Sequence, residues 1–176
     1  EYHAAGVAIA GVPAIVAGYN GDIAWGETMV MADSQDIFLE QLKEIDGKTH
    51  YLFKGEWLPV KERVEVFKVR GEVDTSIVVK ETHHGPLLND VIQTDPAHVM
   101  MMVKSQQEYG LALSWTATEP DDTIEGFYNM GKAKTMADAK QALSKVGYIH
   151  LNVIYGDKDN IAWQVTGNYP VRGKGD

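Results

Sequence analysis

Small apolar residues alternate with turn formers over residues 12–26, and that pattern predicts a hairpin. Ala14, Ile15, Val16 and Ala17 make a run short enough for a buried strand. Asn20-Gly21 supplies a tight turn, and Ile23-Ala24-Trp25 is the returning strand. Residues 36–43 carry Ile37, Leu39 and Leu42, a spacing that fits a short helix and a strand equally well. Residues 49–82 read as β structure throughout. Tyr51, Phe53, Trp57, Val60, Val64, Val66, Phe67, Val69, Ile77, Val78 and Val79 fall in short β-prone runs that Gly47, Gly55, Pro59 and Gly71 punctuate. Further strands are predicted at 99–103, at 111–116, and as a pair at 153–155 and 161–165 joined by a polar turn at 157–160.

Two segments have helical period. Residues 123–132 place Ile124, Phe127 and Tyr128 on one side. In 135–146, Met136, Ala139, Leu143 and Val146 recur at helical spacing, Asp138 lies in the first turn, and Gly147 marks the expected stop. Internal repeats and low-complexity segments are absent from the sequence. The fold class expected from pattern alone is mixed α+β, rich in antiparallel strands.

Composition narrows the picture. At 176 residues and 44% hydrophobic, the chain can bury one sizeable core, so one domain with a subdomain is the default. A net charge of -9 argues against nucleic acid, because phosphate-backbone binding needs clustered Lys and Arg. The acidic residues form no block long enough for a disordered tail. No stretch approaches the ~18 apolar residues of a membrane helix. The lack of cysteine excludes disulfides, thiolate zinc sites and cysteine nucleophiles in these residues, and leaves the compartment open. Both ends read as cut: Glu1-Tyr2-His3 opens the chain without methionine or leader, and Gly173-Lys174-Gly175-Asp176 closes it as a loop-like run.

Three clusters carry candidate chemistry. In Ala32-Asp33-Ser34-Gln35-Asp36, two carboxylates three positions apart with carbonyls between them suit a hard cation such as calcium; on spacing alone a turn or helix cap accounts for them better. His83-His84-Gly85-Pro86 is the densest group among the six histidines. Adjacent histidines on a strand would point to opposite faces, so a strand-to-turn position is expected there rather than a shared metal. Asn152 sits between Leu151 and Val153 in a run expected to be a buried strand, where an unpaired amide costs roughly 1–3 kcal/mol. It is either a structural amide bonded to a loop or a fixed donor aimed at developing negative charge. The serines lack the context of an activated nucleophile, and no phosphate-binding glycine loop, zinc helix or nucleophile elbow occurs.

Read in order, these pieces resemble one family. The run from Ala10-Gly11-Val12-Pro13 through Gly18-Tyr19-Asn20-Gly21 to Ile23-Ala24-Trp25-Gly26-Glu27-Thr28 is similar to a signature of the penicillin amidases. Ala32-Asp33-Ser34-Gln35-Asp36 with Ile37-Phe38-Leu39-Glu40, then His84-Gly85-Pro86, Leu113-Ser114-Trp115-Thr116-Ala117, Asn160-Ile161 and Gly167-Asn168-Tyr169-Pro170 continue the resemblance in the same order. The family usually has histidine where this sequence has Tyr19, a change expected to alter turn packing more than chemistry.

The resemblance implies an αββα N-terminal-nucleophile hydrolase sandwich, with residues 1–48 and 104–176 as parts of its core and 49–103 as a small β-rich knob. It implies hydrolysis of linear amides, such as penicillin side chains or acyl-homoserine lactones, through an acyl-enzyme on an N-terminal serine that this sequence does not contain. Such proteins mature by autoproteolysis of a precursor, so the expected partners are an N-acyl small molecule and the other parts of the precursor. An oxyanion hole would comprise the Asn152 side-chain amide and the Met29 backbone N–H. Arg172 would position substrate, and Val30, with Met29, would narrow the acyl pocket. A structural calcium would take Asp33, Gln35 and Asp36, with Pro120 and Asp159 as further ligands. A periplasmic or secreted location is implied in the same way. Two alternatives remain open at this stage: a β-rich calcium-binding module without chemistry, and an inactive acylase-like scaffold.

Overall fold

The computed structural model describes residues 2–92 and 108–173; the strand expected at 99–103 lies outside them. In chain order the described strands are β1 (Ala5–Ala8), β2 (Ile15–Tyr19), β3 (Ala24–Met29), β4 (Gln35–Ile45), β5 (Lys48–Phe53), β6 (Glu56–Pro59), β7 (Lys61–Phe67), β8 (Thr75–Thr82), β9 (Gly85–Pro86), β10 (Tyr109–Trp115), β11 (Leu151–Gly156) and β12 (Ile161–Val165). Two helices, α1 (Thr123–Met130) and α2 (Met136–Leu143), separate β10 from β11. The chain divides into two compact units, Glu1–Ser34 with Thr116–Asp176, and Gln35–Trp115. Both β4 and β10, which fall on the core side of the expected boundaries at 48/49 and 103/104, therefore belong to the second unit.

The first unit is an antiparallel sheet in the order β1-β2-β3-β11-β12. Its central pair matches residues whose numbers sum to 180, from Met29 opposite Leu151 to Ala24 opposite Gly156. Trp25, Leu151, Val153 and Tyr155 fall on one face by the strand period of two. They bury against Phe127 and Met130 of α1 and Ala139, Ala142 and Leu143 of α2. The opposite face carries Gly26, Thr28, Asn152, Ile154, Ile161 and Trp163, and its apolar members are exposed.

Local chemistry explains the joints. The expected turn between β2 and β3 forms, with Gly21 at φ +95°. Asn20 Oδ1 accepts the N–H groups of Asp22 (3.0 Å) and Ile23 (2.8 Å). Its Nδ2 donates to the carbonyls of Gly131 (3.2 Å) and Ala133 (2.7 Å), so the hairpin is tied to the chain leaving α1. The helix expected from 135 stops at Leu143 rather than running to Val146, and Gly147 is not its stop. Gly147 is instead a packing position: its N–H donates to Asp121 Oδ2 and Thr123 Oγ1, both at 3.0 Å, and an added Cβ would lie 2.7 Å from that carboxylate. The approach to β11 is fixed further by His150, whose Nε2 lies 2.7 Å from the Asn168 carbonyl. Gly167, at φ +102°, leaves the room that this ring occupies.

The second unit holds two antiparallel sheets, β10-β4-β5-β6 and β7-β8-β9. Residues 36–43, undecided between helix and strand, belong to the eleven-residue β4, paired along its first half with β10 and along its second with β5. Hydrogen bonding to two neighbours settles what periodicity could not. The buried apolar set of this unit is Leu42, Tyr51 and Val60.

Candidate active site

Asn152 stands near the start of β11, opposite Thr28 on one side and Val165 on the other. It is half-buried on the open face, not buried as its apolar neighbours suggest, because alternation sends Leu151 and Val153 to the helix side and Asn152 away from it. Its amide is oriented by two contacts. Oδ1 accepts the indole N–H of Trp163 at 3.2 Å, which turns Nδ2 toward β3, where it lies 3.5 Å from the Met29 carbonyl. The latter is at the limit of a hydrogen bond and holds the donor only loosely.

The Met29 N–H is placed by ladder geometry. Val30 donates to the His150 carbonyl at 3.2 Å, and hydrogen-bonded pairs alternate along an antiparallel ladder. Met29 and Leu151 are therefore a non-bonded pair, and the Met29 amide is directed away from β11. Val30 itself is half-buried, while Met29 is exposed. Beyond them Met31 adopts φ +59°, an uncommon left-handed conformation for a side chain of this kind. Thr28 and Asn152 line an open groove of about 580 Å³ with Gly26, Ile154, Gly156 and Ile161; Met29 lies at its end rather than on its lining.

Two titratable groups along the groove are perturbed: burial raises the pKa of the Tyr155 phenol and of the Glu27 carboxyl. Glu27 lies opposite Val153, which lies opposite Gln164, so the three side chains form a row across β3, β11 and β12. Glu27 Oε2 and Gln164 Oε1 are buried without a partner among the described residues. Burial pushes the Glu27 carboxyl above its ordinary range.

Arg172 reaches the segment after β3. Its guanidinium donates through Nη1 (3.2 Å) and Nη2 (3.3 Å) to the Asp33 carbonyl, and Nη2 lies 3.5 Å from Asp33 Oδ2. Arg172 thus braces Asp33. Pro120 is exposed and lines a separate surface hollow with Asp121, Asp122 and Gly147. Asp159 is in the turn between β11 and β12, paired with Lys158. That turn follows Gly156, whereas Asp33 follows Met29, so the two acids lie beyond opposite ends of a six-residue ladder roughly 17 Å long. Within the first unit Asp33 and Asp159 thus approach the sheet from different ends. Gln35 and Asp36 open β4 in the second unit, opposite Trp115 and Ser114.

The histidine pair takes the strand-to-turn position expected of it, and the turn brings both rings together. His83 and His84 occupy the turn between β8 and β9, not a strand, so their rings lie side by side with centroids 3.7 Å apart. His84 Nδ1 is 2.7 Å from Oε1 of Glu40, a residue of β4 that is only 4% exposed. Desolvation, then the neighbouring His84, lower the His83 pKa from its ordinary value, with Glu40 acting in the opposite direction. Sequence reasoning missed Glu40, Glu27 and Trp163. Each is remote in sequence from the residue it serves, and only the alternation of Ile161, Trp163 and Val165 hinted that the indole shares a face with Asn152.

This fold has a known counterpart. A thermostable penicillin G acylase from Alcaligenes faecalis superposes with a TM-score of 0.67 at 24% identity, over 94% of this chain and 29% of that one, which defines the class as an N-terminal-nucleophile hydrolase fold. The penicillin amidase family matches residues 1–176, and the chain belongs to that family. It is 42% identical over 175 residues to the acyl-homoserine lactone acylase QuiP of Pseudomonas aeruginosa, covering 99% of this chain and 20% of that protein. It is 32% identical over 184 residues to the penicillin G acylase of Escherichia coli, covering 98% and 20%. The chain therefore spans about a fifth of the length of these curated relatives.

Proposed function

We propose that this chain supplies the charge-stabilising half of an acylase active site, within a protein that hydrolyses linear amides. The observation that carries the reading is the Asn152 amide, held by Trp163 with its donor facing β3 at the end where the Met29 N–H leaves the ladder. In the reaction a serine hydroxyl adds to the amide carbonyl, and the carbonyl oxygen becomes an oxyanion. The serine proton passes to that residue's own α-amino group and then to the departing amine, leaving an acyl-enzyme that water hydrolyses. Asn152 Nδ2 and the Met29 N–H donate to the oxyanion. The 3.5 Å contact between Nδ2 and the Met29 carbonyl is long enough to be given up at little cost.

The serine belongs to a part of the polypeptide outside these residues, and the same parts cover the exposed apolar face of Ile154, Ile161 and Trp163. An exposed apolar face of this kind marks a surface that normally meets another layer. The substrates are N-acyl compounds of the kinds named in the relatives, acyl-homoserine lactones or penicillin side-chain amides. Arg172 shapes this end of the site through Asp33, and Met29 and Val30 narrow the acyl pocket. No step passes through a metal.

The test is Asn152→Ala in the full-length protein, assayed on a panel of N-acyl homoserine lactones and penicillins. Loss of one oxyanion donor should lower kcat by ~10²–10³-fold, with an unchanged unfolding midpoint. An undiminished kcat in the variant, or a parent inactive on every N-acyl compound, would overturn the reading.

A further inference from the structure

Among the described residues, one group of three metal-ligating side chains converges, and it lies wholly in the second unit. Glu40 comes from β4, and His83 and His84 from the turn between β8 and β9. Each offers one ligand atom, and these atoms lie within 4.8 Å of one another. We propose that Glu40, His83 and His84 bind a single divalent transition-metal ion of the zinc type, which ties β4 to the β8–β9 turn.

Donor chemistry selects the ion. Two borderline imidazoles with one harder carboxylate suit zinc, cobalt or nickel, and they supply too few oxygens for calcium. Three protein ligands leave the fourth tetrahedral position to water, and the exposure of His83 gives water access to it.

The surroundings are built to hold these ligands. Thr82 Oγ1 donates to Glu40 Oε1 at 2.9 Å and accepts the His84 backbone N–H at 3.2 Å, so one hydroxyl fixes both the carboxylate and the turn. The His84 ring stacks on Phe38 with centroids 3.8 Å apart and planes 6° from parallel. The His83 ring rests against Phe53 (3.9 Å) and Tyr51 (5.5 Å). Gly85, at φ +138°, lets the chain leave the turn in contact with the Leu113 carbonyl, where an added Cβ would be only 2.0 Å away.

The metal geometry requires small movements. Ligands at about 2.0–2.1 Å from a tetrahedral ion stand about 3.3 Å apart. The 2.7 Å contact between Glu40 and His84 therefore opens by roughly half an ångström as the proton between them is displaced, and the His83 ring, exposed in its turn, swings inward.

The experiment uses full-length protein stripped with chelator and then titrated with Co²⁺ alone, followed by its visible absorption, and with Zn²⁺ alone by calorimetry. Parent and His83→Ala are compared, because His83 is exposed and its truncation spares the core. His84→Ala and Glu40→Gln serve as further ligand variants. The parent should give tetrahedral Co²⁺ bands and bind one equivalent of Zn²⁺ that His83→Ala binds at least ~10-fold more weakly. Indistinguishable isotherms for parent and His83→Ala, or no Co²⁺ bands in the parent, overturn the site.

Discussion

At the scale of single residues, the decisive feature is how polar groups on one sheet are partnered. Asn152 has both ends of its amide engaged, by Trp163 and by the Met29 carbonyl. Glu27, on the other side of the same ladder, has a buried oxygen with no partner among the described residues. Burial raises its pKa, so the folded chain binds its proton more tightly than the unfolded one. The sign follows from linkage: the contribution to stability is complete below the ordinary value of 4.5 and is lost as pH rises from there through the raised folded value. Glu27→Gln should remove that loss. Thermal unfolding measured across pH should show the variant gaining on the parent above this window and converging with it below. A constant difference at every pH would contradict the assignment.

Elements are set by local chemistry where they are short and by neighbours where they are long. The start of α2 is a complete capping box, in which the Asp138 N–H donates to Thr135 Oγ1 (3.1 Å) and the Thr135 N–H to Asp138 Oδ2 (3.0 Å). Thr135→Ala should cost about 1 kcal/mol in chemical denaturation. The bond from Thr135, followed by that from the Lys134 N–H, lowers the Asp138 pKa from 3.8. The cap's charge-dependent part is therefore present above 3.8 and lost as pH falls through the lowered value, a loss Thr135→Ala should blunt. The other end of this helix was legible only in part. Gly147 looks like a stop signal, yet its missing side chain serves the Asp121–Thr123 network instead. For β4, two flanking strands decide an element whose own sequence fits two structures.

On the scale of the whole molecule, the two units differ in how much they bury. The first packs two helices on five strands around Ile23, Met130, Leu143 and Val153, all nearly inaccessible. The second buries Leu42, Tyr51 and Val60, while both faces of β7 remain largely open. Local stability follows buried apolar contact. Hydrogen exchange should therefore protect the amides of β3 and β11 longest and release those of β7 and β8 first. Equal protection across both ladders would show that burial does not set the order.

The sequence by itself determined the β-rich α+β class, the hairpin at Asn20-Gly21, the helix start at Thr135 and the family resemblance, because each is encoded by neighbours within a few positions. Only the tertiary structure decided which distant residues share a space. Strand pairing brought Trp163 to Asn152 and separated Asp159 from Asp33, and a turn rather than a strand placed His83 and His84 together beside Glu40. Register and turn geometry are cooperative properties of several segments, and no local pattern specifies them.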